Sequence, residues 1–217
     1  PVIINCDWWL RIIRDNYYQP VSCLCGLCLY NRKRIIQLMP EIQLRPTVAT
    51  DLSRLMGFDH SISSDSVWQL ELRRDAGLVM TTFREVRLPR SVKVTYPHDP
   101  FALADDWVRK SMMYTAFIGM DPVGYICLLE RGVVSVVSIT DLVVAVAHRR
   151  QGVASALLAA GQEWAASRSH RRMILEMQSK NLPAIRLAQK FGYEFCGYND
   201  HYYLNQDVAL FFAKVLK

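Results

Sequence analysis

The residues best placed to do chemistry lie at one junction. Arg149, Arg150, Gln151, Gly152, Val153 and Ala154 follow a β-branched run, residues 142–147. They open a segment in which Val153, Ala156, Leu157, Ala160 and Trp164 recur at helical spacing. A strand therefore ends and a helix begins near Gly152. The first N–H groups of a helix have no partner inside it, and the helix dipole adds positive potential where they point. With two arginines alongside, the junction can cradle a pyrophosphate. Gly152 lets an anion come close to the backbone, and Ala154 keeps the next turn small. The spacing fits neither Walker A, which needs two glycines and a Gly-Lys-Ser/Thr end, nor the dinucleotide G-x-G-x-x-G.

Such a junction needs a scaffold. A chain of 217 residues, 51% hydrophobic, can bury one good core, and 21% charged residues with five tryptophans exclude a disordered chain. The net charge is +6. Half of it lies in residues 1–40, where Arg11, Arg14, Arg32, Lys33 and Arg34 face only Asp7 and Asp15. No long basic stripe with interleaved aromatics is present, so a nucleic-acid partner is not expected. The apolar runs are interrupted or too short to span a bilayer and no signal peptide is evident, so a cytoplasmic location without a membrane partner is expected. Cys127 and Cys196 read as small buried hydrophobes. Cys23-x-Cys25-x-x-Cys28 lacks the second paired half of a structural zinc site, and Cys6 would have to fold back to complete it, so no metal is expected.

Residues 1–40, with Trp8-Trp9 and the basic patch at residues 31–34, show no clean period. They are expected to lie outside the folded domain, as an extension upstream of a natural start at Met39. The alternative is an amphipathic arm that docks on a partner or a membrane surface. The domain is expected over residues 41–217, beginning with a strand at 42–44. A helix over 47–56 follows, capped by Thr47 or Thr50, then a polar loop at 58–64. A strand is expected over 77–88, after which Pro89, Pro97 and Pro100 break the chain. Next come a helix at 105–112 and a hairpin of residues 114–119 and 124–129. The central strand is read over 132–147, the helix over 152–167, and a parallel strand at 173–177 reached by a right-handed crossover. A helix at 182–191 with Pro183 in its first turn, then strands at 192–195 and 208–215, complete the chain.

Arg149-x-x-Gly152-x-Ala154 directly after a strand resembles the acetyl-CoA-binding signature of the GNAT N-acetyltransferases. Residues 175–184, Leu-Glu-Met-Gln-Ser-Lys-Asn-Leu-Pro-Ala, followed by Lys190-Phe191-Gly192-Tyr193, resemble the second half of that pattern. The stretch 139–193 is most similar to the streptothricin acetyltransferase branch. The resemblance spans residues 41–217 and is sharpest over 138–197. It implies an α/β sandwich with a mixed, centrally splayed sheet in the order β-α-α-β-β-β-α-β-α-β-β.

The resemblance also implies a reaction, attack of a primary amine on the thioester of acetyl-CoA. The amides of Gln151, Gly152, Val153 and Ala154 would hold the pyrophosphate, helped by Arg149 and Arg150. The backbone around Leu142 and Val144 would pair with the pantetheine arm, Asn181 would meet the same arm, and an N–H near Val144 would stabilise the oxyanion. An alkylamine is only about one part in 10³ free base at pH 7, so a carboxylate at the cleft helps, and Asp141 and Glu176 are the candidates. Each has a structural alternative: bonding a bulged backbone or pairing with a core arginine. Asp59, Trp68 and Tyr198 are candidates for the acceptor site. The family's thiolate-protonating tyrosine falls at Ala188, and Tyr198, Tyr202 or Tyr203 could stand in, with Tyr202 the named candidate. The expected acceptor is a small-molecule amine. A protein N-terminus or lysine of a peptide is the alternative within the class, a non-catalytic acyl-CoA-binding module the alternative outside it, and a homodimer the candidate assembly.

Overall fold

β-branched and alternating segments settle into a sheet, and the segments with helical spacing cover its two faces. The computed structural model describes residues 41–130, 132 and 135–216. In chain order the elements are β1 (Ile42–Pro46), α1 (Ala49–Met56), β2 (Ile62–Asp75), β3 (Leu78–Val94), α2 (Leu103–Asp106), β4 (Met112–Ile118), β5 (Asp121–Glu130) and β6 (Val136–Val144). They continue with α3 (Val153–Ser167), β7 (Arg172–Gln178), α4 (Leu182–Lys190), β8 (Glu194–Asn199) and β9 (Ala209–Val215). One sheet has the order β1-β4-β5-β6-β7-β9-β8, and β2 and β3 form a separate two-stranded ribbon. Among the described strands, only β6 and β7 run parallel. The mixed α/β sandwich expected from the sequence is therefore present. The expectations on residues 1–40, including Cys6, Cys23, Cys25 and Cys28, lie outside the described residues.

Two cores hold the layers together. On one face α3 and α4 bury Val153, Leu157, Leu158 and Ile185 against Ile126, Leu128, Ile139 and Leu175. On the other, Leu52 and Leu55 of α1 and Leu103 of α2 pack on Tyr125, Cys127 and Val143. Strand and helix both crowd Gly124 of β5, where a Cβ would lie 2.7 Å from the Val143 carbonyl oxygen of the neighbouring β6 and 3.1 Å from Val153 of α3. Backbone cannot retreat as a side chain can. Gly124→Ala should therefore cost about 1–3 kcal/mol of overpacking strain, seen as a lower melting temperature in scanning calorimetry. An unchanged melting temperature would count against this close approach.

Several local expectations are corrected. The largest concerns the β2–β3 ribbon between α1 and α2: the strand expected at 77–88 is the first part of β3, which runs on to Val94, and its partner β2 was not expected. The two strands turn at Ala76-Gly77, with Gly77 at φ +76°. Most of the ribbon is solvated, and the buried positions at the start of β2 are Ser64 and Ser66, so no apolar alternation marks it; of the loop expected at 58–64, residues 62–64 are strand. The helix expected at 105–112 is the short α2 with 3₁₀ turns on both sides, and Met112 already belongs to β4. Neither threonine caps α1. Val48 is the N-cap, its N–H donates to Asp51 at 3.0 Å, and Thr47 is held across the sheet by Thr115. The central strand ends at Val144, and Val146–His148 forms a 3₁₀ turn. Cys196 is exposed, because it is the extra residue at a bulge in β8, the edge strand. No described helix is long and apolar enough to cross a membrane.

Candidate active site

β6 carries one residue too many for its neighbour. Cys127 of β5 faces Asp141 and Leu128 faces Ile139, so Thr140 is the extra residue of a bulge. A bulge bends its strand and sharpens the local twist. Accordingly β6 and β7 pair only from Val136/Arg172 to Ile139/Leu175 and then separate. Beyond that point β6 stays on β5 as far as Val144, while Glu176 to Gln178 stay on β9. The gap is a cleft of about 280 Å³ whose lining includes His98, Ile139, Thr140, Glu176, Tyr202 and Tyr203.

Downstream of the gap lies the junction read from the sequence. Gly152 is the N-cap of α3 at φ +92°, and Arg150 is at φ +64°. No side chain caps the helix. Ala156 is the first residue to bond back, its N–H reaching the Gly152 carbonyl at 3.0 Å. The amides of Val153 and Ala154 therefore open the helix with no intrahelical acceptor, as a helix N-terminus requires. That arrangement fits a diphosphate. Arg149 is differently engaged: Nε donates to the Val144 carbonyl at 3.0 Å, and a terminal nitrogen donates to the Asp59 carbonyl at 2.9 Å. It braces the turn against the loop after α1. Gln151 similarly donates to the Ala147 carbonyl.

The two carboxylates read from the sequence have different surroundings. Asp141 is 7% exposed. Its Oδ1 accepts from the Tyr96 hydroxyl and from His98 Nδ1 at 3.1 Å, and its Oδ2 accepts from Thr140 at 2.7 Å and Lys110 at 3.2 Å. Burial alone would raise its pKa. The hydrogen bond to His98, the Lys110 charge and the other donors outweigh burial and hold the carboxyl well below the usual carboxylate range. Behind it, Tyr125 donates to or accepts from His60 Nε2 at 3.0 Å. Burial pushes both tyrosine hydroxyls upward and the His60 imidazole downward. Glu176 instead faces the cleft, where the hydroxyls of Tyr203 and Tyr202 donate to it at 3.2 and 3.3 Å.

The remaining candidates are spread more widely. Asn181 is the N-cap of α4, its Oδ1 accepting the Ala184 N–H at 3.1 Å. Leu142 and Val144 lie on the stretch of β6 that β7 has left. Asp59 sits in an exposed loop and bonds Ser61, close to the cradle through its carbonyl and not on the cleft wall. Trp68 packs within an aromatic cluster, 5.6 Å from Phe212 and 6.3 Å from Phe195 between ring centroids. Tyr198 packs on Phe83 and reaches Thr81. Ala188 is fully buried in the core, so α4 brings no hydroxyl at that position. The sequence missed His98, Tyr96 and Lys110. They come from segments read as proline breaks or helix, and no local pattern marks a residue that acts through a partner over 30 positions away.

The family model for the acetyltransferase (GNAT) family matches residues 80–193, just over half of the chain. The chain belongs to the GNAT acetyltransferase family. The matched segment includes the cradle, the bulge of β6 and Glu176, and ends before Tyr202 and Tyr203. Among curated relatives, a streptothricin acetyltransferase of Escherichia coli is 38% identical over 93 residues, 43% of this chain and 53% of that protein. The chain thus spans about half the length of that relative. One from Streptomyces lavendulae is 24% identical over 163 residues, 70% of this chain and 82% of that protein. In fold, this GNAT chain is similar to nourseothricin acetyltransferase, with TM-score 0.70 and 24% identity over 81% of this chain and 99% of that one. It is also similar to a Bacillus anthracis str. Ames protein assigned as a streptothricin acetyltransferase and solved in complex with acetyl coenzyme A. There the TM-score is 0.65, with 21% identity over 81% of this chain and 99% of that one.

Proposed function

We propose that this GNAT chain transfers an acetyl group from acetyl-CoA to a primary amine of a small cationic molecule, by direct attack on the thioester. The observation that carries the reading is the parting of β6 and β7 after Ile139/Leu175, which opens a Glu176-lined cleft upstream of an uncapped helix N-terminus. Membership of an acetyltransferase family and similarity to streptothricin acetyltransferases support it.

In this reading the amides of Val153 and Ala154 hold the diphosphate, with Gly152 giving it room and Arg150 adding charge. Arg149 keeps the turn in shape through its two carbonyl contacts. The pantetheine arm lies along residues 142–144 of β6, and Asn181 shapes the wall opposite by capping α4. Glu176, set among tyrosine hydroxyls, draws the acceptor ammonium into the cleft. Tyr202 is the group at hand to protonate the departing thiolate. A thiol leaves tolerably as thiolate, since its pKa is about 8.5, so loss of that hydroxyl slows transfer without abolishing it. Acetyl-CoA is a cytoplasmic metabolite, and the cytoplasm is the compartment we assign.

The test is release of CoA thiol from acetyl-CoA across a panel of amines that includes streptothricin, polyamines and peptides with free N-termini. Small cationic amines should be turned over best. Glu176→Gln should lower kcat/KM for the amine about 10–100-fold, the loss of one charged partner at roughly 1.4 kcal/mol per factor of ten, with acetyl-CoA affinity unchanged. Preference for the peptides, or a wild-type level of kcat/KM in the variant, would overturn the assignment of acceptor and of Glu176. Binding of acetyl-CoA without turnover of any amine would leave an acyl-CoA-binding module.

A further inference from the structure

The acetyl-transfer reading leaves one step without a residue. At neutral pH the acceptor arrives as an ammonium ion, and it must shed a proton before its nitrogen can attack. Asp141 and Glu176, the carboxylates visible in the sequence, are both engaged. Asp141 is 7% exposed, does not line the cleft, and accepts hydrogen bonds from four side chains. Both oxygens of Glu176 accept from tyrosines.

His98 is arranged differently. Its ring lines the cleft and is 44% exposed at the side chain, while Nδ1 lies 3.1 Å from Asp141 Oδ1. An ionised carboxylate only accepts, so Nδ1 carries the proton and Nε2 bears the lone pair. Asp141 itself cannot turn: Tyr96, Thr140 and Lys110 hold both its oxygens. This is the geometry of an imidazole base oriented by a buried carboxylate, on the wall of the cleft where the amine must bind.

Resting on the acetyl-transfer reading, we propose that His98 is the catalytic base that takes the proton from the acceptor ammonium, with Asp141 as the residue that positions it. The ammonium N–H bond breaks to His98 Nε2, and the freed nitrogen forms a C–N bond with the acetyl carbonyl. The C–S bond then breaks as the tetrahedral intermediate collapses. Of the two protons lost by nitrogen, one ends on the CoA thiolate and the other leaves His98 for water through the exposed side of the ring. No oxidant, reductant or metal is needed. The charged and titratable groups facing His98 are Asp141, Tyr96, Lys110 and Glu176. The hydrogen bond to Asp141, opposed by burial, raises the imidazole above its ordinary value, and Lys110 lowers it in part. The neutral, proton-accepting form therefore grows in as pH rises through a value higher than that of a free histidine.

The deciding experiment is the pH dependence of kcat/KM for an amine turned over by the wild type, compared with His98→Gln, His98→Ala and Asp141→Asn. The wild type should show an acidic limb above about pH 6.5, the ordinary histidine value, followed by a plateau. His98→Gln should lose about 10²–10³-fold near neutrality. Its rate should then climb with the free-amine fraction towards the amine's own pKa, with no plateau. Asp141→Asn removes the partner that raises the imidazole, so its limb should move to lower pH. Added imidazole should restore part of the rate of His98→Ala at unchanged Kd for acetyl-CoA. Retention of the wild-type limb in His98→Gln at a rate within a few-fold of wild type, or failure of imidazole to rescue, overturns His98 as base and leaves acetyl transfer standing. Absence of transfer to any amine by the wild type overturns both.

Discussion

Gly152→Val should weaken acetyl-CoA binding by about 100-fold or more, some 2.7 kcal/mol, measured by titration calorimetry on a chain that still melts cooperatively. Gly152 sits at φ +92° as the N-cap of α3. A β-branched residue is a genuine outlier there, and the left-handed region alone costs an L-residue about 1–2 kcal/mol. The chain would relieve that strain by rotating the peptide units that aim the first amides of α3. The new methyls would also occupy the space into which a diphosphate must come. Both effects fall on the cofactor, because the N–H groups concerned have no other partner within the helix. Arg149→Gln should do less, since its guanidinium is spent on the Val144 and Asp59 carbonyls. Acetyl-CoA binding to Gly152→Val at wild-type affinity would remove the cradle from the account.

Asp141→Ala should lose about 3–5 kcal/mol of stability at pH 7, the usual cost of removing one member of a buried charged pair. Lys110, 16% exposed at the side chain, would keep its charge with no carboxylate beside it, and the buried Tyr96 hydroxyl would lose its acceptor. The pH dependence has a definite sign. The folded-state pKa of Asp141 is depressed, so its contribution is complete well above the unfolded value of about 3.9 and is lost as pH falls below it, where the unfolded chain takes up the proton first. Urea unfolding at pH 7 and at pH 3 should therefore show the gap between wild type and variant narrowing in acid. A loss under 1 kcal/mol at pH 7, or a gap that widens in acid, would contradict the network.

The junction from β6 to α3 was legible because everything that makes it is local. A β-branched run, a glycine that can take a positive φ, and apolar residues at helical spacing are neighbours in sequence, and backbone amides need no distant partner. The same holds for the β4–β5 hairpin and for β7 to α4, with Pro183 in the first turn and Asn181 before it. The parting of β6 and β7 was implied by family resemblance, but its cause, the extra residue Thr140, appears only when β5 is laid alongside. Of the β2–β3 ribbon, β3 was read in part, over 77–88, and β2 escaped for a related reason. About half its residues are exposed, and the alternate positions it buries first are Ser64 and Ser66, so no apolar period of two marks it.

The chemistry around Asp141 could only come from the tertiary structure. A carboxylate within an apolar run signals that some partner exists, but not which. The sequence left open a bulged backbone, a core arginine or a place in the cleft, and the fold supplied Lys110, Tyr96 and His98 from 31, 45 and 43 positions away. Likewise Glu176 could be placed at a cleft by the parallel crossover, while its tyrosine donors depend on how the 201–207 loop returns over β7. Backbone patterns record what each residue does to its neighbours in the chain. Side-chain proton chemistry depends on distances between segments, and these exist only once the sheet has closed.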